Sequence, residues 1–302
     1  MGSERRTVTA ADGRKLEVLT TGDPGGYPWL WVPGSPSAAA DAPRLDDLAT
    51  KLDLRMVTWS RPGYGDSSPR PLTTQGPRIV DDVPDIEAIL DALGIDAFVV
   101  VGWSGGGPRA LACAAMLPDR CRAAATLAGL APFDAAGLDW MAGMGPGNVA
   151  DFTAALDGPE AYGVFKEMTF LPMTAAGVDD VAAGLVALLT PTDDITLTRE
   201  LAPWLTEMMH RAGAQSVIGV RDDGLAMVAP WGFDVRSIAV PVAIWAGRQD
   251  ETVPFAHGEW LAANVPGAVA HLFDEAGHIT LLDDLEDVLH ELLELRYRLP
   301  TD

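Results

Sequence analysis

Short apolar runs alternate with helix-like patterns through the first half of the chain. Runs of apolar and β-branched residues, bounded by turn residues, predict strands over residues 7–10, 16–20, 29–32, 56–60, 97–101 and 123–130. Apolar residues at helical spacing predict helices over residues 43–52, 79–93 and 107–116. Strands that alternate with helices predict a mostly parallel sheet with helices on both faces.

This alternation stops near residue 133 and resumes near residue 230. Further strands are predicted over residues 241–246 and 269–273, which brings the sheet to eight strands, and a last helix is predicted over residues 278–296. The segment between the two halves is helical and rich in loops. We therefore expect an α/β core built from residues 1–132 and 230–302, with a helical cap formed by residues 133–229.

A cap inserted at this point lies over the carboxyl ends of parallel strands, where ligands bind. Large apolar side chains in and beside it are candidates for the lining of a substrate pocket, and packing inside the cap is the alternative. These candidates are Trp103, Trp140, Met144, Phe165 and Trp204.

The segment Gly102-Trp103-Ser104-Gly105-Gly106 joins a predicted buried strand to a predicted helix. The helix has Pro108 in its first turn, where proline is tolerated. A serine on a tight strand-to-helix turn is the nucleophile elbow of serine hydrolases. Gly102, Gly105 and Gly106 suit this turn, because bulky side chains would collide where the two backbones meet. Ser104 is therefore the candidate nucleophile.

A serine hydroxyl needs a histidine to remove its proton and an acid to orient that histidine. In this arrangement the acid and then the histidine follow the serine along the chain. His278 lies in a turn after a late strand, and it is the candidate base among the five histidines. Asp250 follows the preceding strand and is the candidate acid, with Asp134 as its chief rival. Asp274 and Glu275 lie near His278 in sequence, and so short a link makes the orienting geometry awkward.

The oxyanion of the tetrahedral intermediate needs two backbone N–H donors. Gly105 is expected to supply one donor, and the loop after the third strand the other. In this loop Gly34 lets the chain turn and Pro36 has no N–H group, so Ser35 is the candidate donor.

Three more segments resemble the α/β-hydrolase superfamily. Residues 60–67, Ser-Arg-Pro-Gly-Tyr-Gly-Asp-Ser, are similar to its Asp-Arg-Pro-Gly-x-Gly-x-Ser turn, and residues 240–250 and 276–278 resemble its acid and histidine segments. The resemblance covers nearly the whole chain and implies the α/β-hydrolase fold, with cap-bearing esterases and prolyl iminopeptidases as similar enzymes. The chain departs from the pattern at Pro33, where relatives have a histidine that braces the oxyanion loop, and at Ser60, where they have aspartate.

Composition narrows the range of partners. The net charge of −22 argues against nucleic acid and anionic membranes, so a small molecule is the expected partner, and the oligomeric state is left open. Cys113 and Cys121 match no zinc or redox spacing and are expected to be buried thiols. No secretion signal and no membrane-spanning run is recognised, so a cytoplasmic protein is expected. The proposed chemistry needs no metal or cofactor, and none is expected.

These residues predict a serine hydrolase that cleaves a carboxylic ester, a lactone or a thioester of a partly hydrophobic small molecule. A prolyl-type aminopeptidase is one alternative, and its cap carboxylates would hold the substrate's amino group. The candidates for that role are Asp193, Asp194, Glu200 and Glu207. A small-molecule receptor or a non-hydrolytic biosynthetic enzyme on the same fold is the other alternative.

Overall fold

Eight strands form one sheet in the computed structural model, which describes residues 2–73, 76–186 and 195–298. The strands are β1 (Glu4–Thr9), β2 (Lys15–Gly22), β3 (Tyr27–Val32), β4 (Leu54–Trp59), β5 (Phe98–Trp103), β6 (Cys121–Leu127), β7 (Val242–Gly247) and β8 (Val269–Phe273). The predicted eight-stranded, mostly parallel sheet is confirmed.

The strand order is β1-β2-β4-β3-β5-β6-β7-β8. β1 pairs with β2, and β2 with β4, in antiparallel fashion, whereas every pair from β4 across to β8 is parallel. The carboxyl ends of β3 to β8 therefore lie along one edge of the sheet. The loops that carry Ser35, Ser104, Asp250 and His278 all leave from this edge.

Helices cover both faces of the sheet. The helices of the described residues are α1 (Pro43–Lys51), α2 (Val83–Ala92), α3 (Gly107–Met116), α4 (Pro146–Leu156), α5 (Pro159–Thr169), α6 (Val178–Val186), α7 (Ile195–Ala212), α8 (Ile218–Val228), α9 (Phe255–Asn264) and α10 (Leu285–Leu295). Apolar residues of α2, α3 and α9 pack on one face, and those of α1 and α10 pack on the other. Along β5, Phe98 and Val100 face the first layer, while Val99 and Val101 face the second. The sheet is thus buried on both sides, as parallel sheets are.

Two predicted helices begin later than expected. Residues 79–82 form a 3₁₀ turn, and α2 starts at Val83, because Pro84 lacks an N–H group and fits only the first turn of a helix. The last helix starts at Leu285 rather than at residue 278. Its first turn carries Glu286 and Asp287, whose charges favour a helix N-terminus. His278 consequently lies in the loop after β8.

Helices α4 to α8 occupy the long segment between β6 and β7. The boundaries 133–229 of the cap stay a prediction. In the described part of the chain, no helix combines the length and the apolar character needed to cross a membrane. Cys113 and Cys121 are free and buried, and burial raises the pKa of both thiols, that of Cys121 to about 12.

Candidate active site

Ser104 sits on a strained turn between β5 and α3. Its backbone φ is +54°, in the left-handed region that L-residues rarely adopt. A side chain on Gly106 would run into the backbone of Val32 and Pro33, and one on Gly102 into the backbone of Gly106 and Gly107. The two glycines therefore permit the close approach that the turn requires. This is the geometry of a nucleophile elbow.

Asp250 and His278 form a buried pair at the same edge of the sheet. His278 Nδ1 lies 2.7 Å from Asp250 Oδ2, and the Asp250 side chain is 1% exposed. The other carboxylate oxygen, Oδ1, accepts hydrogen bonds from the backbone N–H groups of Thr252 and Val253, each at 2.7 Å. An ionised Asp250 requires the proton on Nδ1, which leaves the lone pair of the neutral imidazole on Nε2. The pair thus holds His278 in the form that can accept a proton.

Trp103 joins the elbow to the loop that carries the histidine. Its indole Nε1–H donates to the backbone oxygen of His278 at 3.3 Å, and its ring lies 5.3 Å from the imidazole. Since Trp103 directly precedes Ser104, this contact holds the two loops together at the end of β5.

The loop after β3 packs against the serine. A Cβ atom placed on Gly34 would lie 3.1 Å from Ser104 Cβ, and one placed on Gly105 would lie 3.3 Å from the Ser35 backbone nitrogen. Gly105 belongs to the first turn after β5, where backbone N–H groups have no partner within the helix. The structure therefore brings together Ser104 and the two residues predicted to donate to an oxyanion.

A buried arginine supports the oxyanion loop. Arg61, at 1% exposure, donates to the backbone oxygens of Pro33 at 3.0 Å and Gly34 at 2.8 Å. In similar enzymes a histidine braces the oxyanion loop, and this chain has Pro33 at that position. The guanidinium of Arg61 supplies a brace from the neighbouring loop.

A second buried arginine supports the backbone at Gly105, the other candidate oxyanion donor. Arg109, in α3, donates from Nη1 to the backbone oxygen of Gly105 at 2.8 Å and from Nε to Asp82 at 2.6 Å. Asp223, from α8, accepts from Arg109 at 2.7 Å and from Arg61 at 2.5 Å. One carboxylate thus connects the supports of both candidate oxyanion donors.

Tyr64 completes this cluster, which we call the buried brace (Arg61, Tyr64, Asp82, Arg109 and Asp223). Its hydroxyl donates to Asp223 at 3.0 Å and lies 3.2 Å from Ser35 Oγ. Burial opposes the charge of Asp223, but the charges of Arg109 and Arg61 outweigh it and lower the pKa of this carboxyl to about 2. Burial and the nearby Asp223 raise the pKa of Tyr64, so the hydroxyl keeps its proton. Asp223 is therefore ionised at neutral pH, and it accepts hydrogen bonds from Arg61, Arg109 and Tyr64.

Sequence reasoning singled out the turn that contains Arg61 and Tyr64 but missed Asp82, Arg109 and Asp223. Two of the missed residues, Arg109 and Asp223, are recognisable from their sequence surroundings. Arg109 lies within an apolar helix, and Asp223 lies in α8 among buried residues. A charged residue in such a position is almost always paired, although the sequence does not show with what.

A narrow cavity of about 90 Å³ opens at Ser104. Ser35 and Gly105 border it, together with residues of α4, α5 and α8. The residues from these helices include Asp151, Phe152, Tyr162, Lys166, Val220 and Met227. The cavity is smaller than the one of about 150 Å³ that holds benzene, so it suits a short chain.

None of the five predicted pocket residues is among the residues that line this cavity. Trp140 packs between Phe133, Phe152 and His257, and Met144 is buried in the same cluster. Trp204 lines a separate apolar groove with Trp31 and Leu45. Trp103 lies against His278, and Phe165 stacks on Tyr162 at 6.3 Å. Large rings bury most surface by packing on one another, and smaller side chains form most of the cavity wall instead.

The rival acids do not reach the histidine. Asp134 is exposed, and Asp274 pairs at the surface with Arg248. Of the cap carboxylates considered for an aminopeptidase, Glu200 and Glu207 are exposed, and Asp193 and Asp194 lie outside the described residues. Among the residues that the structure describes, no group of three or more His, Cys, Asp or Glu side chains is placed to hold a metal ion.

Distant relatives that are named as hydrolases or esterases occur among the curated proteins. The chain is 26% identical to a 2-hydroxymuconate semialdehyde hydrolase from Pseudomonas putida, over 93% of this chain and 90% of that one. It is also 26% identical to a pimeloyl-[acyl-carrier protein] methyl ester esterase from Chromobacterium violaceum, over 82% and 85%. These names support the interpretation that this chain is a hydrolase.

Solved structures share the fold. An esterase from Rhodococcus sp. ECU1013 matches with a TM-score of 0.66 at 17% identity, over 98% of this chain and 99% of that one. The enol-lactonase from Burkholderia xenovorans LB400 matches with a TM-score of 0.66 at 19% identity, over 96% and 100%. The sequence model of the alpha/beta hydrolase fold family matches residues 30–285. The chain therefore belongs to the α/β-hydrolase fold family.

Proposed function

We propose that the protein is a serine hydrolase that cleaves carboxylic esters or lactones of small acids through Ser104, His278 and Asp250. The observation that carries the proposal is the convergence of three parts at one sheet edge. These are the strained serine of the elbow, the buried His278–Asp250 hydrogen bond of 2.7 Å, and the braced Gly34–Ser35 loop beside the serine.

In the proposed reaction, His278 Nε2 accepts the proton of Ser104 as Oγ attacks the substrate carbonyl. The backbone N–H groups of Ser35 and Gly105 stabilise the oxyanion, while Asp250 stabilises the imidazolium. His278 then returns the proton to the leaving alcohol, and an acyl-enzyme remains. Water, activated by the same histidine, releases the acid and restores the serine. The reaction consumes one ester and one water and yields one acid and one alcohol.

The cavity and the relatives support an ester-type substrate. A volume of about 90 Å³ suits an acyl group of about two to four carbons. The relative from Chromobacterium violaceum is named for a methyl ester, and the Burkholderia xenovorans enzyme for an enol lactone. Proteins on this fold that act on esters thus occur among the matches.

A p-nitrophenyl ester panel of rising chain length tests the proposal. We expect the wild-type protein to hydrolyse short esters and Ser104→Ala to lose about 10⁶-fold in kcat, the scale seen when a triad nucleophile is removed. Stoichiometric ligand binding without turnover would instead favour the hypothesis of a small-molecule receptor. Retained turnover in Ser104→Ala would overturn the mechanism.

A prolyl-type aminopeptidase has weaker support. Such an enzyme needs a carboxylate free to bind the substrate's ammonium group. Asp151, a carboxylate on the wall of the cavity, is paired with Lys166 and also accepts the hydrogen bond of Tyr162. We therefore expect a proline arylamide to be cleaved far more slowly than a butyrate ester by the same preparation.

A further inference from the structure

The cavity that opens at Ser104 is also lined by a mostly buried cation, Lys166. Lys166, in α5, has a side chain that is only 11% exposed, and it pairs with Asp151 of α4. The chain has two other lysines, Lys15 and Lys51, and both are exposed. A mostly buried ammonium is costly unless it is compensated, and this one lines the same cavity as Ser104.

The hydrogen bonds around Lys166 leave its ammonium group with unused N–H donors. Asp151 is engaged at both oxygens, because Oδ1 pairs with Lys166 and Oδ2 accepts from the Tyr162 hydroxyl at 2.9 Å. That bond also uses the Tyr162 proton. An ammonium group has three N–H donors, and Lys166 spends one on Asp151, while the Tyr162 ring lies 5.2 Å from its nitrogen. The wall can therefore donate further hydrogen bonds through Lys166.

The arrangement favours a substrate group that accepts hydrogen bonds. Of the residues described on the wall of this cavity, Lys166 is the one that carries a positive charge. A carboxylate would form charge-assisted hydrogen bonds with its remaining N–H groups. The charge of Asp151 offsets that of Lys166, so we expect a moderate preference for an acid rather than an absolute one.

We infer that Lys166 binds a carboxylate carried by the substrate, a few carbons from the carbonyl that Ser104 attacks. The substrate class is thus a short ester with a free acid group, such as the half-ester of a small dicarboxylic acid. Because Ser104 and Lys166 line one cavity of about 90 Å³, we expect a short link of about two or three carbons between the two groups. This inference rests on the proposed function.

Matched pairs of esters test it, because each pair differs only by a carboxylate in place of a methyl group. Monomethyl succinate against methyl butyrate places the acid on the acyl side, and acetoxyacetate against ethyl acetate places it on the alcohol side. The measured quantity is the ratio of kcat/KM for the acid to that for its neutral partner. The pair with the larger ratio shows which side of the ester faces Lys166.

Two substitutions should move this ratio in opposite directions. Lys166→Met should lower it about ten- to a hundredfold, the scale of a hydrogen bond to a charged group. Asp151→Asn should raise it, since it removes the charge that offsets Lys166. Lys51→Met is the matched control, because it breaks an exposed lysine–carboxylate pair with Glu286 and should leave the ratio unchanged. A salt bridge that only joins α4 to α5 would not produce opposite shifts.

The double substitution Lys166→Met/Asp151→Asn removes the whole pair and keeps the test available if a single variant fails to fold. Calorimetric titration of Ser104→Ala with monomethyl succinate and with methyl butyrate, with and without Lys166→Met, measures the same preference without turnover. An unchanged ratio in the Lys166 variants, together with normal ester hydrolysis, would overturn the inference alone. Binding that prefers the acid in Ser104→Ala, with no hydrolysis of any ester by the wild type, would overturn the proposed function instead.

Discussion

Replacing Asp223 by asparagine removes the carboxylate that Arg61 and Arg109 share. Both guanidinium groups are at least 98% buried, and the two arginines hold the backbone oxygens of Pro33, Gly34 and Gly105. An asparagine accepts through one oxygen only and turns an N–H₂ group toward the cations. We expect the free energy of unfolding to fall by about 3–5 kcal/mol, the cost of breaking a buried ion pair, and the Tm by roughly 5–10 °C.

The same substitution should slow the reaction. Losing one oxyanion donor outright costs about 10²–10³ in kcat, and Asp223→Asn loosens the support of two donors without deleting either. We therefore expect kcat on a short ester to fall about ten- to a hundredfold, with a smaller change in KM. Initial rates below the melting transition, together with thermal unfolding of each variant, measure the two effects separately.

Two controls separate positioning from stability. Leu289→Ala opens a hole in the buried core on α10 and should cost about 2–5 kcal/mol without slowing the enzyme. Asp222→Asn changes the neighbouring carboxylate on α8, which pairs with Arg221 rather than with the brace, and should leave kcat within about threefold. If Asp223→Asn loses stability but keeps its kcat, as Leu289→Ala should, then the brace does not position the oxyanion donors.

Three further outcomes are expected. Burial lowers the pKa of His257 to about 4, so as the pH falls the unfolded chain takes up a proton at this histidine before the folded chain does. The free energy of unfolding should therefore fall by about 3 kcal/mol as the pH drops from 6.5 to 4. His257→Asn should flatten that part of the unfolding profile, and an unchanged slope would contradict the assignment. Asp250→Asn should lower kcat about 10⁴-fold with little change in Tm, since His278 would lose the acceptor that fixes its tautomer. Activity on p-nitrophenyl esters should peak near two to four acyl carbons, and a peak at eight would mean that the cavity opens in solution.

Much of the fold could be predicted because its signals are local. Apolar runs bounded by turn residues marked the strands, and the alternation with helical patterns marked a parallel sheet. Glycines around Ser104 marked the elbow, since few other residues fit where two backbones meet. The starts of α2 and α10 were misplaced because helical periodicity does not show where the first turn closes.

The rest of the site depends on contacts between distant residues. Arg61 and Asp223 are separated by 162 positions along the chain, and neither sequence neighbourhood names the other as a partner. Pocket residues were chosen for size and hydrophobicity, but Trp140 and Trp204 are used in packing. Nothing in the sequence marks Lys166, because a lysine on a helix is usually solvated. Only the structure shows that its side chain is mostly buried and lines the cavity at Ser104.

The central claim is that Ser104 is an activated nucleophile beside a formed oxyanion hole. Labelling with a fluorophosphonate probe tests it directly, because the probe reacts only with a serine whose hydroxyl is activated, and peptide mapping locates the adduct. We predict one adduct per chain, on Ser104, and none in Ser104→Ala or after heat unfolding. An adduct on another serine, or no adduct on the folded wild-type protein, would contradict the account.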